Sequence, residues 1–275
     1  MVQFSYNVNM AIEFQNKDFM MCNKQKFMIA IAMLLVLTPT LFLARKQKQL
    51  SKAKKYLNHL LIQEIQQNET QKIQELVEAG ANVNVVPGSC YEGSFRKTAL
   101  MVAAQKSDNN LLQWLITHGA DVNIETEWDQ PHAGKPALSF ALEAHNLDGV
   151  KILINAGADV NKYNDLGSVE NLETIPESLR ERNNPLLTYT IGRKLPMSFI
   201  HALLNAKNVD VNKSLLNSIT PLMIAAAIGY EEAAEALLKA GADATTINPV
   251  DGKQAIDYAR DAGHKNIVKL LQEKS

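Results

Sequence analysis

The sequence predicts an all-α solenoid of stacked helix-turn-helix units with β-turn or finger loops, preceded by one transmembrane helix. Three observations carry this. The first is a returning phrase: Gly80-Ala81-Asn82-Val83-Asn84, Gly119-Ala120-Asp121-Val122-Asn123 and Gly157-Ala158-Asp159-Val160-Asn161. It returns in altered form as Val209-Asp210-Val211-Asn212 and Gly241-Ala242-Asp243-Ala244-Thr245. The second is register. Ala103 to Gly119, Ala141 to Gly157 and Ala225 to Gly241 are each 16 residues apart. The third is an uncharged run over residues 27–44. A phrase repeated every 33 to 51 residues marks units that bury their apolar faces only by stacking on neighbours.

Residues 1–26 read as an N-terminal tail whose start is open, since Met20 or Met21 can also begin the chain. Residues 27–44, from Phe27 through Leu35 to Ala44, meet the lower limit of ~17–25 apolar residues for a membrane span. Pro39 lies inside the run, and membrane helices tolerate proline better than soluble ones do. A cleaved leader fits less well. The run is longer than the ~7–15 residues usual there, and Phe42 stands at the minus-three position of a cut after Ala44, where a small residue is wanted. The expectation is therefore an uncleaved single-pass anchor in contact with membrane lipid. Residues 45–55 form a basic juxtamembrane linker with six cations, against three before the span, which favours a cytoplasmic repeat domain. A basic leader before an apolar run is also how exported bacterial proteins begin, so a bacterial origin is expected and a periplasmic domain is the alternative.

The repeats occupy residues 56–275. Their best first helix opens at Thr220-Pro221-Leu222. Thr220 is the expected N-cap, its hydroxyl accepting from a free backbone N–H, and Pro221 fits the first helical position where its missing donor costs nothing. The second helix runs from Glu231 to Lys239 with Leu237 and Leu238 toward the core, and Gly241 supplies the left-handed residue after it. The unit around Asn184-Pro185-Leu186-Leu187-Thr188-Tyr189-Thr190 departs most. Tyr189 replaces a small residue, and its helices are expected to be lengthened. Six units result, including a polar N-terminal cap at about 54–84 and a C-terminal cap opening at Gln254-Ala255-Ile256-Asp257-Tyr258-Ala259.

These motifs resemble the ankyrin-repeat family, with its T-P-L-H-x-A-A first helix and G-A-D-V-N turn. The 33-residue interval is that family's period. Thr98-Ala99-Leu100-Met101-Val102-Ala103-Ala104 fits with Ala for Pro and Met for His, and Pro136-Ala137-Leu138-Ser139-Phe140-Ala141-Leu142 fits more loosely. The resemblance implies a binding scaffold, not an enzyme, that recognises a protein partner through a concave face and the loops between repeats.

Three joints exceed the 33-residue period, by 6, 5 and 18 residues, and all three insertions fall at the same place in the unit. They are residues 85–97, 124–134 and 162–183, and one edge of a solenoid would carry them all. The candidate partner-binding residues are Tyr91 and Phe95 in the first, Glu125, Glu127, Trp128, Asp129 and His132 in the second, and Tyr163 in the third. Trp128 reads either as a binding hot spot or as a side chain folded onto its own loop. A short helix over residues 175–182 is opened by Pro176.

Charge narrows the partner. Residues 1–55 carry a surplus of seven positive charges and residues 56–275 a surplus of eight negative ones. An acidic domain argues against nucleic acid and for a basic protein partner. Cys22 and Cys90 cannot staple the repeats together. No phosphate-cradling glycine loop or zinc-protease histidine pair is present, so no cofactor, metal or catalytic residue is expected. His118 and His264 are expected beside turns, Trp114 in a second-helix core, and Asp121, Asp159 and Asp243 as organisers of the turn phrase. An inhibitor or immunity role against a toxin or enzyme at the cell envelope is the second functional expectation.

Overall fold

The computed structural model describes residues 39–67, 69–86, 97–126, 134–165, 183–214 and 219–273. The chain divides into two compact units, residues 1–54 and 55–275. In the first, the described residues are helical and belong to α1 (Pro39–Gln67). Phe27 and Leu35 lie outside the described residues, and Ala44 lies within α1. Among the described residues no helix is long and apolar enough to cross a membrane. Residues 45–55, expected as a linker, are helical throughout. Lysine, glutamine, leucine and alanine are strong helix formers, and no glycine or proline interrupts residues 40–67.

The second unit is a succession of helical pairs. After the end of α1 come α2 (Thr70–Glu78), α3 (Ala99–Lys106), α4 (Asn109–Thr117), α5 (Ala137–Glu143) and α6 (Leu147–Asn155). A two-stranded antiparallel ribbon follows, β1 (Tyr163–Asp165) with β2 (Asn183–Pro185). Then come α7 (Leu186–Gly192), α8 (Met197–Leu204), α9 (Pro221–Ile228), α10 (Glu231–Lys239), α11 (Ala255–Asp261) and α12 (Lys265–Gln272). The ends follow the local chemistry. Thr98 and Thr220 cap α3 and α9 by accepting from Met101 N and Met223 N, and Pro221 stands at the start of its helix. Asp108 and Asn146 cap α4 and α6 by accepting from Leu111 N and Gly149 N.

Burial divides the two helices of each pair. The second helices bury one stripe: Leu111, Leu112 and Leu115 in α4, Val150 and Leu153 in α6, Ala233, Ala234 and Leu237 in α10. The first helices α5, α7 and α9 are buried almost throughout, and small residues such as Ala141, Ala225 and Ala226 let neighbours approach. The fourth first helix is not lengthened as expected: α7 has 7 residues, as α5 does. The surplus went into the joint before it. Tyr189 fits where a small residue was expected because its ring is buried beneath the Arg193 guanidinium, 5.7 Å from the ring centre.

Each turn phrase is organised by its acid or amide. Asn82, Asp121, Asp159, Asp210 and Asp243 each accept from the backbone N–H two residues on, at 2.8 to 3.1 Å. The last asparagine of the phrase reaches the next unit. Asn84 accepts from Asp121 N at 2.8 Å and donates to Gly119 O at 3.0 Å. Asn123 repeats this on Asp159 N and Gly157 O. Asn161 does so on Asp210 N and Asn208 O, and Asn212 on Asp243 N and Gly241 O. The ladder begins on α1, where Asn58 accepts from Asn82 N at 2.7 Å.

First helices stack closely as α3 on α5, α7 on α9 and α9 on α11, but α5 and α7 meet far less closely. There α7 packs on β1 and β2 instead, while the second helices α6 and α8 keep their contact. Ser139 on α5 and Thr188 on α7 are buried, and neither hydroxyl has a hydrogen-bond partner among the described residues. An unpaired buried hydroxyl costs roughly 1–3 kcal/mol. Thr188→Val is therefore expected to raise stability by about 1 kcal/mol in chemical denaturation. Asn161→Ala removes the rung across the loose joint, with an expected loss of roughly 1–3 kcal/mol. Hydrogen exchange should then show residues 186–273 opening separately from residues 97–161, where the unaltered chain protects them together.

Between the paired helices the chain turns through a left-handed residue: Ser107, His145, Lys194 and Gly229 with φ of 58°, 54°, 49° and 72°. A side chain in that region costs roughly 1–2 kcal/mol. Lys194→Gly is expected to raise the midpoint of thermal unfolding, by up to about 1 kcal/mol in stability, because the exposed residue sits at a φ of 49° that glycine adopts without strain.

Candidate functional site

The second and third insertions leave the stack on two-stranded stems. In the second, Glu125 and Pro136 form an antiparallel bridge. Thr126 N donates to Lys135 O at 3.1 Å, Gly134 N donates to Thr126 O at 2.9 Å, and Lys135 N donates to the Thr126 hydroxyl at 3.0 Å. In the third, Tyr163 pairs with Pro185, Asn164 with Asn184 and Asp165 with Asn183. Both stems follow the turn phrase and run straight into a first helix, so the insertions occupy equivalent places in successive units.

Of the expected partner-binding residues, Glu125 lies on the second stem and Tyr163 opens β1. Tyr91, Phe95, Glu127, Trp128, Asp129 and His132 lie outside the described residues, as does the helix expected at 175–182. Glu125 is not an unengaged acid. It pairs with Lys162 at 2.6 Å, tying the second stem to the start of the third. That hydrogen bond holds the Lys162 ammonium above the usual lysine range.

A lysine recurs just before three of the first helices. Lys97, Lys135 and Lys253 each stand two residues before a first helix, next to its N-cap. Each spans its helix to a group eight residues on: Lys97 to Gln105 at 2.8 Å, Lys135 to Glu143 at 2.6 Å, Lys253 to Asp261 at 2.8 Å. The Lys135 side chain is only 2% exposed. Lys97 is buried too, its ammonium 4.5 Å from the centre of the Phe140 ring in the next unit. Burial pushes its pKa down, opposed chiefly by the Glu143 charge. Such side chains bury long apolar stems while the charged end finds a partner. The signal was present as a lysine just before each cap with a polar residue eight positions later, but lysine is ordinarily read as surface.

The isolated candidates are structural. His118 stacks on Trp114 with ring centres 3.7 Å apart, and its Nδ1 lies 2.8 Å from Trp114 O. Trp114 is half-exposed rather than in the core as expected, because Leu111, Leu112 and Leu115 fill the buried stripe of α4. His264 packs against Gly229, where an added Cβ would lie 2.5 Å from its ring, and its Nε2 is 3.2 Å from Ala227 O. Among the described residues no group of three His, Cys, Asp or Glu is placed to hold a metal.

The last loop, between α10 and α11, is described in full. Asn248 is wholly buried and donates to the Tyr258 hydroxyl at 2.6 Å, and that hydroxyl donates to Asp251 at 2.7 Å. Asn248 also accepts from Val250 N at 3.0 Å. Burial, helped by the Asp251 carboxylate, pushes the Tyr258 phenol up to about 12.

Comparison with known proteins agrees with this architecture. The family model described as ankyrin repeats (3 copies) matches residues 59–164 and 190–275, breaking off at the third insertion. The p105 subunit of nuclear factor NF-kappa-B from Gallus gallus is 29% identical over 172 residues, 62% of this chain and 15% of that protein. The putative ankyrin repeat protein FPV244 of Fowlpox virus is 30% identical over 118 residues, 43% of this chain and 16% of that one. The chain thus spans under a fifth of either relative. Two solved structures share the fold. One is the ankyrin repeat protein EF0377, with TM-score 0.60 and 20% identity, covering 77% of this chain and 96% of that one. The other is described as the Bd0816 predatory endopeptidase from Bdellovibrio bacteriovorus in complex with immunity protein Bd3460, with TM-score 0.58 and 21% identity, covering 78% and 97%.

The raised Tyr258 pKa has a direct consequence. A phenol whose folded pKa exceeds its unfolded value of about 10 contributes stability below pH 10, and loses it as pH rises through about 12. In an alkaline absorbance titration of the folded protein, one phenol should ionise only near pH 12, and Tyr258→Phe should remove that last step.

Proposed function

We propose that this chain, which belongs to the ankyrin-repeat family, is a binding protein that grips its partner with the concave face of its first helices and the fingers between its units. Ankyrin repeats bind protein partners, and membership of the family supports that class of function. The observation that carries the finer reading is the pair of antiparallel stems at equivalent joints, clasped by Lys162 and Glu125. Stems fixed to a stacked scaffold reduce the ordering cost of a partner-binding loop. The acidic balance of residues 56–275 favours a basic partner and disfavours nucleic acid. Catalysis is not part of the proposal, since ankyrin repeats generally act as non-enzymatic scaffolds.

The proposal includes a tether. The uncharged run 27–44 would anchor the chain in lipid, with the repeats on the cytoplasmic side by the excess of cations after the run. A periplasmic domain in a bacterial envelope is the competing arrangement. A second functional reading, inhibition of or immunity to a toxin or enzyme there, draws support from the likeness to the Bdellovibrio complex.

Two measurements test these readings. Tyr91→Ala, Phe95→Ala and Trp128→Ala together are expected to weaken partner binding at least about tenfold in a pull-down, without loss of helical signal. Unchanged binding would remove the fingers from the account. A compartment-specific reporter at Ser275, with fractionation, should place the chain in the membrane with a cytoplasmic end. An external end would move the inhibitor reading ahead, and co-expression with the suspected toxin should then protect cells.

A further inference from the structure

The last loop combines rigidity with apolar exposure. Asn248 donates its backbone N–H to Lys253 O at 2.9 Å, accepts at its carbonyl from Gly252 N at 2.8 Å, and is locked by Tyr258 as described above. Gln254 donates to Thr245 O at 3.0 Å, while Asp243 accepts from Thr245 N and from the hydroxyls of Thr245 and Thr246. A segment held at so many points has little conformational freedom left to lose. Yet Ile247 is 56% exposed and Val250 60% exposed, with exposed Pro249 between them. The other exposed large hydrophobic residues among those described, Leu50 and Tyr56, belong to α1. The lock explains the outward apolar groups: Asn248 and Tyr258 take the inward positions, so Ile247 and Val250 have nowhere to turn.

The charges around the tip are unequal. Lys253 is engaged by Asp261 at 2.8 Å, and Arg260 by Asp257 at 3.1 Å. Asp243 and Asp251 accept from hydroxyls and backbone N–H groups, and neither forms an ion pair among the described residues. The tip is thus apolar with two carboxylates beside it.

We propose that Ile247, Pro249 and Val250 form a preformed anchor that enters an apolar pocket rimmed by lysine or arginine on a protein partner. This rests on the binding function above and adds a contact site that the insertions do not provide. A rigid apolar side chain entering a pocket is the usual form of a binding hot spot, and preorganisation leaves more of the burial energy for affinity. The two carboxylates select a cationic rim by charge complementarity. Tyr258 acts as a positioning residue, holding the loop without touching the partner.

The experiment places a photo-crosslinking benzoylphenylalanine in the full-length chain, in its source cells, at Val250, at exposed Lys106 on α3, or at exposed Lys151 on α6 as background. Crosslinked peptides are identified by mass spectrometry. Val250 and Lys106 are expected to capture the same protein. The Val250 peptide should carry apolar residues flanked by Lys or Arg, and Ile247→Ser should cut its yield at least about tenfold without changing the thermal midpoint. Tyr258→Phe should lower both yield and thermal midpoint, since it loosens the loop but keeps the apolar tip. Capture from Lys106 with none from Val250 overturns the anchor and leaves the binding function standing. So does a purely polar or acidic Val250 peptide, or a yield indifferent to Ile247→Ser. Silence at both sites relative to Lys151 overturns the binding function as well.

Discussion

One asparagine per unit, with both ends of its amide committed to the next turn, fixes the register of the stack. Asn84, Asn123, Asn161 and Asn212 each accept from the N–H of one residue and donate to a carbonyl two residues before it. Each bond is worth only about 0.5–1.5 kcal/mol net, but geometry matters more than strength here. Two bonds from one rigid amide set both the distance and the rotation between neighbouring turns. The ladder starts on Asn58 of α1 and reaches its last turn at Asp243. There Thr245 stands in the asparagine's place and bonds back to Asp243. The C-terminal cap meets that turn differently, through Gln254 and Thr245 O.

The ladder also explains why insertions are tolerated where they occur. The chain makes its rung first and departs afterwards, so an insertion need not disturb the register already fixed. Closing a longer loop adds only slowly to the entropy cost. Even where the turn lost its glycine, at residues 206–208, Asn161 finds the carbonyl of Asn208 instead of a glycine carbonyl. Backbone acceptors are indifferent to side-chain identity, so the rung outlasts the motif that usually accompanies it.

Much of this was legible because it depends on short-range chemistry. Thr220, Pro221 and Gly241 mark helix ends through their own hydroxyl, ring and missing side chain, and α10 spans Glu231–Lys239 as expected. The aspartates were read correctly as turn organisers, since their bonds close over two residues. What was not legible spans units. The asparagine's partner is 29 to 49 residues away, and no local pattern names it. Nothing local marks the lysines before α3 and α5 as interior, yet tertiary packing buries them and supplies Gln105 and Glu143. The lengthened helices expected around Tyr189 came from assigning surplus residues to the wrong element. A surplus shows only as an interval, and an interval does not say whether helix or loop absorbs it. The last loop carries no surplus at all, which is why its exposed Ile247 and Val250 drew no notice.

Charge and spacing together explain how a uniform scaffold presents an uneven surface. Lys97 and Lys135 are spent inside, so part of the domain's positive charge does not reach the surface. Glu125 is likewise held by Lys162, leaving the backbone of the stems rather than their ion pair to set where the tips begin. The third insertion enters at a joint where first helices do not stack closely, and its ribbon lies against α7 in their place. Repeat stacks derive their stability largely from nearest-neighbour interfaces. A joint that trades helix packing for ribbon packing, and leaves Ser139 and Thr188 without hydrogen-bond partners among the described residues, is one where such a stack is expected to open readily.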